Sequence, residues 1–446
     1  MTIRPFTHAA SDHLLTVVLL TGLTLSFAGC SNEKQDAEST TPPPTTEPTA
    51  AVTPDSPEDV KALEEAGYLL VKDKDGNVTE LSVNSDKDIS ASFAHLSGVP
   101  GTTIASFSGP GISDTGLDNL TALTNLKRLD LSDSAIGDET LKAVGQLTKL
   151  EVLGLRRTGV TDEGFSAISS LPKIRAIDLR NSNTTDAGVA YFAGLKTLAD
   201  LQLEKSKVTD DGVAHLKDLS LKSINLNYCT SITNAAMEVL GGMKNLESIQ
   251  MDYTKLTDEG MVHVAGLSKL KRLRIRGTDV TGAGFQHIAK LAGLQRLELR
   301  DTSLDDEGLA TICSLPSVNY LDISECRIVS PEGMKGIGKL TGLKYLGFWE
   351  TKLNDEAFAE FGNLVNVEEL NLKATQIFDD SVPVLLKMKA LKKLNLAGTQ
   401  LSDDGFTQLG ELPNLSELNV ANTSIGFDVI DTLAEKDGLT VVEEEN

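Results

Sequence analysis

Cut every 24 residues, the chain repeats one alternation of apolar and polar positions: LEVLGLRRTGVTDEGFSAISSLPK from Leu150, IRAIDLRNSNTTDAGVAYFAGLKT from Ile174, LKRLRIRGTDVTGAGFQHIAKLAG from Leu270 and LQRLELRDTSLDDEGLATICSLPS from Leu294. Copies begin at residues 126, 150, 174, 198, 221, 246, 270, 294, 318, 343, 367, 391 and 415, with weaker ones from Thr102 and Val78. The leading LxxLxL alternates as a strand does, and the later leucines recur at the spacing of one helix face. A single copy buries neither face. Stacked copies bury both, which predicts an α/β solenoid with one continuous parallel sheet and helices on its convex side. About fourteen strands at ~4.8 Å give a length of roughly 70 Å.

The consensus LxxLxLxxTxVTDEGLxxLxxLxx resembles the leucine-rich-repeat family, in particular its cysteine-containing and GALA-like subclass. Leu221 to Leu240, LKSINLNYCTSITNAAMEVL, carries the cysteine form, and other copies place Thr or Ser at that ladder position. The resemblance spans about Val78 to Val442 and implies a right-handed horseshoe of about fourteen repeats; it fixes the fold and not the ligand. It also brings to mind F-box ubiquitin-ligase adaptors, but no F-box-like helical segment precedes the repeats.

The ends read differently. In residues 1–30, Arg4 and His8 precede an apolar run from Leu14 to Phe27 that is short for a membrane span, as in an export signal. Ala28-Gly29-Cys30 resembles a lipoprotein cleavage site, which implies lipidation of Cys30 and attachment to a membrane through that lipid only. Ser31 after it resembles outer-membrane sorting. Residues 31–56 include STTPPPTTEPTAAVTPDS, too poor in large apolar residues to fold, and would reach about 80 Å if extended. Residues 57–101 predict a cap: a helix after Ser56-Pro57, a hairpin around Asp75-Gly76 and a degenerate repeat. The solenoid proper is placed at 102–438, and a capping strand with an acidic tail at 439–446.

Candidate chemistry recurs too often to be catalytic. Asp114, Asp138, Asp162, Asp186, Asp210, Asp258, Asp306, Asp355, Asp379 and Asp403 share one position. Ser113, Thr161, Thr185, Thr209, Thr257 and Ser402 directly before six of them predict helix N-caps, with each carboxylate at the positive end of its helix. Val160 and Phe165 have staple spacing, and Ser330 with Pro331 is the same start in another form. His95, His215, His263 and His287 also share a repeat position, and two imidazoles with no third ligand make no zinc site. Cys229 and Cys326 stand in the Thr ladder about 19 Å apart, beyond disulfide reach. Cys313 beside Ile312 reads as a packed thiol. Without a phosphate loop, serine-nucleophile motif or zinc spacing, the chain reads as non-enzymatic, with no cofactor.

What the repeat leaves free lies on the concave face. There the sequence places Arg156, Arg180, Arg272, Arg274, Arg276, Arg296 and Arg300 with Tyr320, Tyr345 and Trp349. With 41 basic and 64 acidic residues the net charge is -23, which argues against nucleic acid and makes this arginine cluster a departure from the mean. Arg, Tyr and Trp supply most binding hot spots. The expectation is a concave site for a protein ligand in the cell envelope, with an anionic envelope glycan as the alternative. A duller reading also fits: long side chains covering the sheet and pairing with Glu298, Asp322 and Glu350.

Overall fold

The computed structural model describes residues 53–444. The segment expected to be an export signal, the expected lipidation site Cys30 and most of the Pro/Thr segment lie outside the described residues.

The N-terminal cap forms as its turn residues dictate. Ser56 accepts a hydrogen bond from the Asp59 amide and starts helix α1 (Pro57–Glu65), which Gly67, at φ +90°, terminates. Strands β1 (Leu69–Lys72) and β2 (Val78–Asn84) then pair antiparallel around Asp75-Gly76. Asp55 reaches back to accept from the Val78 amide. Folded contacts therefore begin before the helix.

From β2 onward pairing is parallel. Glu80 stands opposite Ile104 in β3 (Ile104–Ser113), and three-residue strands follow once per repeat from Arg128–Asp130 to Thr440–Val442. Pairing proceeds in register: Leu129, Leu153, Ile177, Leu201, Ile224, Ile249, Leu273, Leu297, Leu321 and Leu346 lie side by side, all buried. Residues on either side of each point to the open face. Behind the strands lie helical segments of 3 to 9 residues, α-helical or 3₁₀. The 3₁₀ segment Asp162–Ile168, 7 residues long, makes little over two turns, since strand and turns leave a 24-residue repeat little more.

The cap expectation needs correction. Thr185, Thr209, Thr281 and Ser402 do cap their helices, but Thr161 and Thr257 make no capping bond, and Ser113 ends β3. The aspartates do more than face their own helix. All ten reach forward to the next repeat: Asp186, for example, accepts the Thr209 amide and hydroxyl, both at 2.7 Å. The same bond to the next backbone amide runs from Asp114 to Gly137, Asp138 to Thr161, Asp162 to Thr185, Asp210 to Thr233 and Asp258 to Thr281. It continues from Asp306 to Ser330, Asp355 to Phe378, Asp379 to Ser402 and Asp403 to Gly426. These bonds join neighbouring repeats on the side away from the sheet.

A second ladder runs beneath the turn after each strand, where Thr158, Thr254, Thr278, Thr302, Thr351 and Thr399 donate to the carbonyl three residues back. Cys229 and Cys326 stand there too, but their thiols donate to Leu203 and Leu299 of the preceding repeat, each at 3.1 Å. Cys313 is half-buried, and burial pushes its thiol up to about 12, so it stays protonated.

Candidate ligand-binding face

On the open face each repeat offers the first and third strand residues and the residue two further on. Parallel pairing aligns these into columns. Four consecutive rungs read Arg272-Arg274-Arg276, Arg296-Glu298-Arg300, Tyr320-Asp322-Ser324 and Tyr345-Gly347-Trp349.

Parallel strands lie ~4.8 Å apart, close to the spacing at which planar groups stack, so planar residues in one column meet face to face. Tyr320 and Tyr345 stack with centroids 4.0 Å apart and planes 5° apart. The Arg296 guanidinium lies 3.6 Å above the Tyr320 ring and continues the pile. In the outer column Arg300 reaches past the small Ser324 to within 4.1 Å of the Trp349 ring, and Lys373 lies over that ring from the next repeat at 4.8 Å. Trp349 is thus half-buried where the sequence suggested an exposed ring, because two long cations cover it. Its indole N–H is buried with no hydrogen-bond acceptor.

The arginines are held by carboxylates. Glu298, 6% exposed, takes Arg272 at 2.7 Å and Arg296 at 2.6 Å, with Arg274 at 3.6 Å. Burial opposes its charge, but these guanidiniums outweigh burial and hold its carboxyl below the usual glutamate range. Asp252, fully buried, accepts from Arg274 at 2.6 Å and Arg276 at 2.7 Å. Arg300 is paired with Glu325 at 2.9 Å. Five guanidiniums therefore share three carboxylates, and the cluster is far less cationic than its composition implies. Of the partners the sequence suggested, Glu298 is one, whereas Asp322 accepts the Ser324 amide and Glu350 pairs with Arg327.

Eight of the ten predicted residues come together here. The other two stand apart: Arg180 makes a two-toothed pair with Asp178, and Arg156 is held by Asp133. Arg180 is four rungs from Arg276, about 19 Å along the sheet. Arg157, the neighbour of Arg156, sits at φ +53° in the turn and also pairs with Asp133. Sequence reasoning missed Asp252 as an anchor, because only side-chain reach reveals that two arginines bury it. A further stack, Tyr228 on Tyr253 at 4.9 Å, borders the cluster. Gly277 makes room for it, since a Cβ there would lie 2.3 Å from the Tyr253 ring.

Among the described residues no group of three or more His, Cys, Asp and Glu is placed to hold a metal, and no helix is long and apolar enough to cross a membrane.

A family profile for leucine-rich repeat regions matches residues 110–331, the span whose register and ladders are described above. The chain is a leucine-rich-repeat protein. Solved leucine-rich-repeat structures share its fold. It is similar to a Leptospira interrogans LRR protein at 19% identity and TM-score 0.52, over 78% of this chain and 91% of that one. It is also similar to a chain of the yeast Rad7 and Elc1 complex at 19% identity and TM-score 0.53, over 75% and 84%. The LRR ectodomain of the Arabidopsis receptor kinase HAESA, in complex with an IDA peptide hormone, matches at 15% identity and TM-score 0.51, over 86% and 73%. No curated protein matches the sequence.

Proposed function

We propose that this leucine-rich-repeat protein is a non-enzymatic recognition scaffold of the cell envelope, binding a protein partner through the face formed by Arg272, Arg274, Arg276, Arg296, Arg300, Tyr320, Tyr345 and Trp349. One observation carries this reading: two planar stacks, Arg296-Tyr320-Tyr345 and Arg300-Trp349, stand preassembled on three adjacent rungs. Ordering long side chains before the ligand arrives removes much of the entropy that binding otherwise costs. Arg156 and Arg180, four or more rungs away, would serve only a ligand long enough to span both regions.

Charge favours a protein over the anionic glycan. Asp252, Glu298 and Glu325 already compensate the arginines, and the whole chain carries -23. An interface made chiefly of stacked faces loses little affinity to salt, whereas a polyanion held by arginines loses much. The envelope location rests on the sequence of residues 1–31, with Cys30 as lipid anchor and the membrane touched through that lipid alone. Similarity to a hormone-bound receptor ectodomain is consistent with a peptide or protein ligand.

The test compares wild type with the Arg276→Ala, Arg300→Ala, Trp349→Ala triple variant as bait in envelope extracts, at low and high salt. The proposal expects a protein retained by wild type at both salts and lost by the variant. Equal recovery by both baits overturns it. Retention of a glycan that vanishes in salt would assign the face to the alternative.

A further inference from the structure

Two strands end the sheet among the described residues, and the chain treats them differently. The last strand, Thr440–Val442, is followed by Glu443 and Glu444 and preceded by Glu435 and Asp437, charges of the kind that keep an open edge from pairing. At the other end, β1 pairs only with β2. Its Leu69 is 74% exposed and its Val71 53%, on the same face of the sheet as Ser82 and Glu80 opposite them. Lys72, its one charged residue, is drawn off to Glu64 at 2.8 Å.

The backbone of β1 shows which groups lie open. The Asp73 amide donates to the Asn77 carbonyl across the hairpin, and the Thr79 hydroxyl to the Val71 carbonyl. Residues 69, 71 and 73 thus turn their peptide groups toward β2, and Leu70 and Lys72 turn theirs away from it, to the open side.

We infer that β1 is a self-association edge: two copies pair β1 against β1 in antiparallel register, with the two-fold axis through Leu70. That register gives the two Leu70 residues a reciprocal pair of N–H···O bonds. Leu69 falls opposite Val71 of the second copy on the open face, so the two most exposed aliphatic side chains of the strand cover each other in both halves. Leu-Leu-Val is apolar-on-apolar in this register on both faces of the sheet. Pairing β1 with the last strand of another copy instead would bring Leu69 and Val71 against the guarding glutamates. With three residues engaged per strand, the contact is small and the dimer reversible, its population set by concentration.

Sedimentation of the purified full-length chain over a concentration series tests this, with Leu69→Lys plus Val71→Lys as the comparison. Both side chains face solvent, so an unchanged melting temperature will show that the variant folds. The wild type is expected to dimerise with concentration, and the variant to associate at least about tenfold more weakly. Under mild oxidation Leu70→Cys should give a disulfide-linked dimer beyond that of the unsubstituted chain, because paired Cα atoms ~5.5 Å apart suit a disulfide. Leu69→Cys or Val71→Cys alone should not, while the two together should. A wild-type chain that stays monomeric, or a dimer indifferent to the lysines, overturns the proposal. So does a lone chain that captures a foreign strand at this edge, and linkage through Leu69→Cys in place of Leu70→Cys overturns the register.

Discussion

Asp305 caps its own helix by accepting the Gly308 amide at 2.9 Å, and the same carboxylate accepts the amide of Gly282 in the preceding repeat at 3.3 Å. At ordinary rungs the roles are reversed: an aspartate in one repeat accepts from a threonine in the next. Here glycine replaces the aspartate and aspartate replaces the threonine. This rung therefore keeps one carboxylate and not two. Asn354 follows the same logic after Pro331, capping by its own oxygen because no carboxylate precedes it. At another rung Asn234 donates to the Thr257 hydroxyl, which in turn donates a hydrogen bond to Glu259.

Gly282→Asp should therefore destabilise the fold by about 1–3 kcal/mol, because its Cβ would lie 2.1 Å from Asp305 Oδ1 and bring two carboxylates together. Adding Asp305→Thr should recover most of the loss by rebuilding an ordinary rung. Urea unfolding of the four-member cycle measures the coupling. Additive effects of the two substitutions would show that the rung pairing is incidental.

The turn after each strand forces a left-handed backbone on eleven residues other than glycine, among them Ala374 at φ +52°. Ala374 gains nothing there that glycine would lose, so Ala374→Gly should stabilise by about 0.5–1 kcal/mol. At the equivalent Gly277, where Tyr253 fills the space, Gly277→Ala should destabilise and unstack Tyr228 from Tyr253. Thermal denaturation with near-ultraviolet circular dichroism reads both effects.

The strands, the buried leucines and the side on which the arginines lie were legible in the sequence because a 24-residue period repeats them until chance is excluded. The ten aspartates were legible as architecture but assigned only half of it. A helix start explains a carboxylate by its own dipole, and nothing in a linear reading brings Asp186 within 2.7 Å of Thr209. The same limit hid Asp252, a polar residue in a column of polar residues until Arg274 and Arg276 close over it. Trp349 was misjudged for the converse reason: the cations that cover it come from neighbouring repeats.

Glu298 should make the arginine cluster sensitive to acid. Its carboxyl lies lower in the folded chain than in the unfolded one, so its contribution is complete above the unfolded glutamate value, about 4.3, and is lost as pH falls through the lower folded value. Glu298→Gln should cost about 1–3 kcal/mol at neutral pH, since it leaves Arg272 and Arg296 without their anionic partner. It should also flatten the loss of stability below pH 4.3, measurable by urea unfolding from pH 7 to 3. A parallel pH dependence in both proteins would place the acid sensitivity elsewhere.

The most direct measurement is photo-crosslinking in envelope extracts with a photoreactive residue at Tyr345, on the stacked face, or at Tyr191, 39% exposed on a helical segment behind the sheet. A recognition scaffold working through the Arg and aromatic columns gives a discrete protein adduct from position 345 that Trp349→Ala abolishes, and none from position 191. Adducts from position 191 alone, or an adduct at 345 that survives Trp349→Ala, would contradict it.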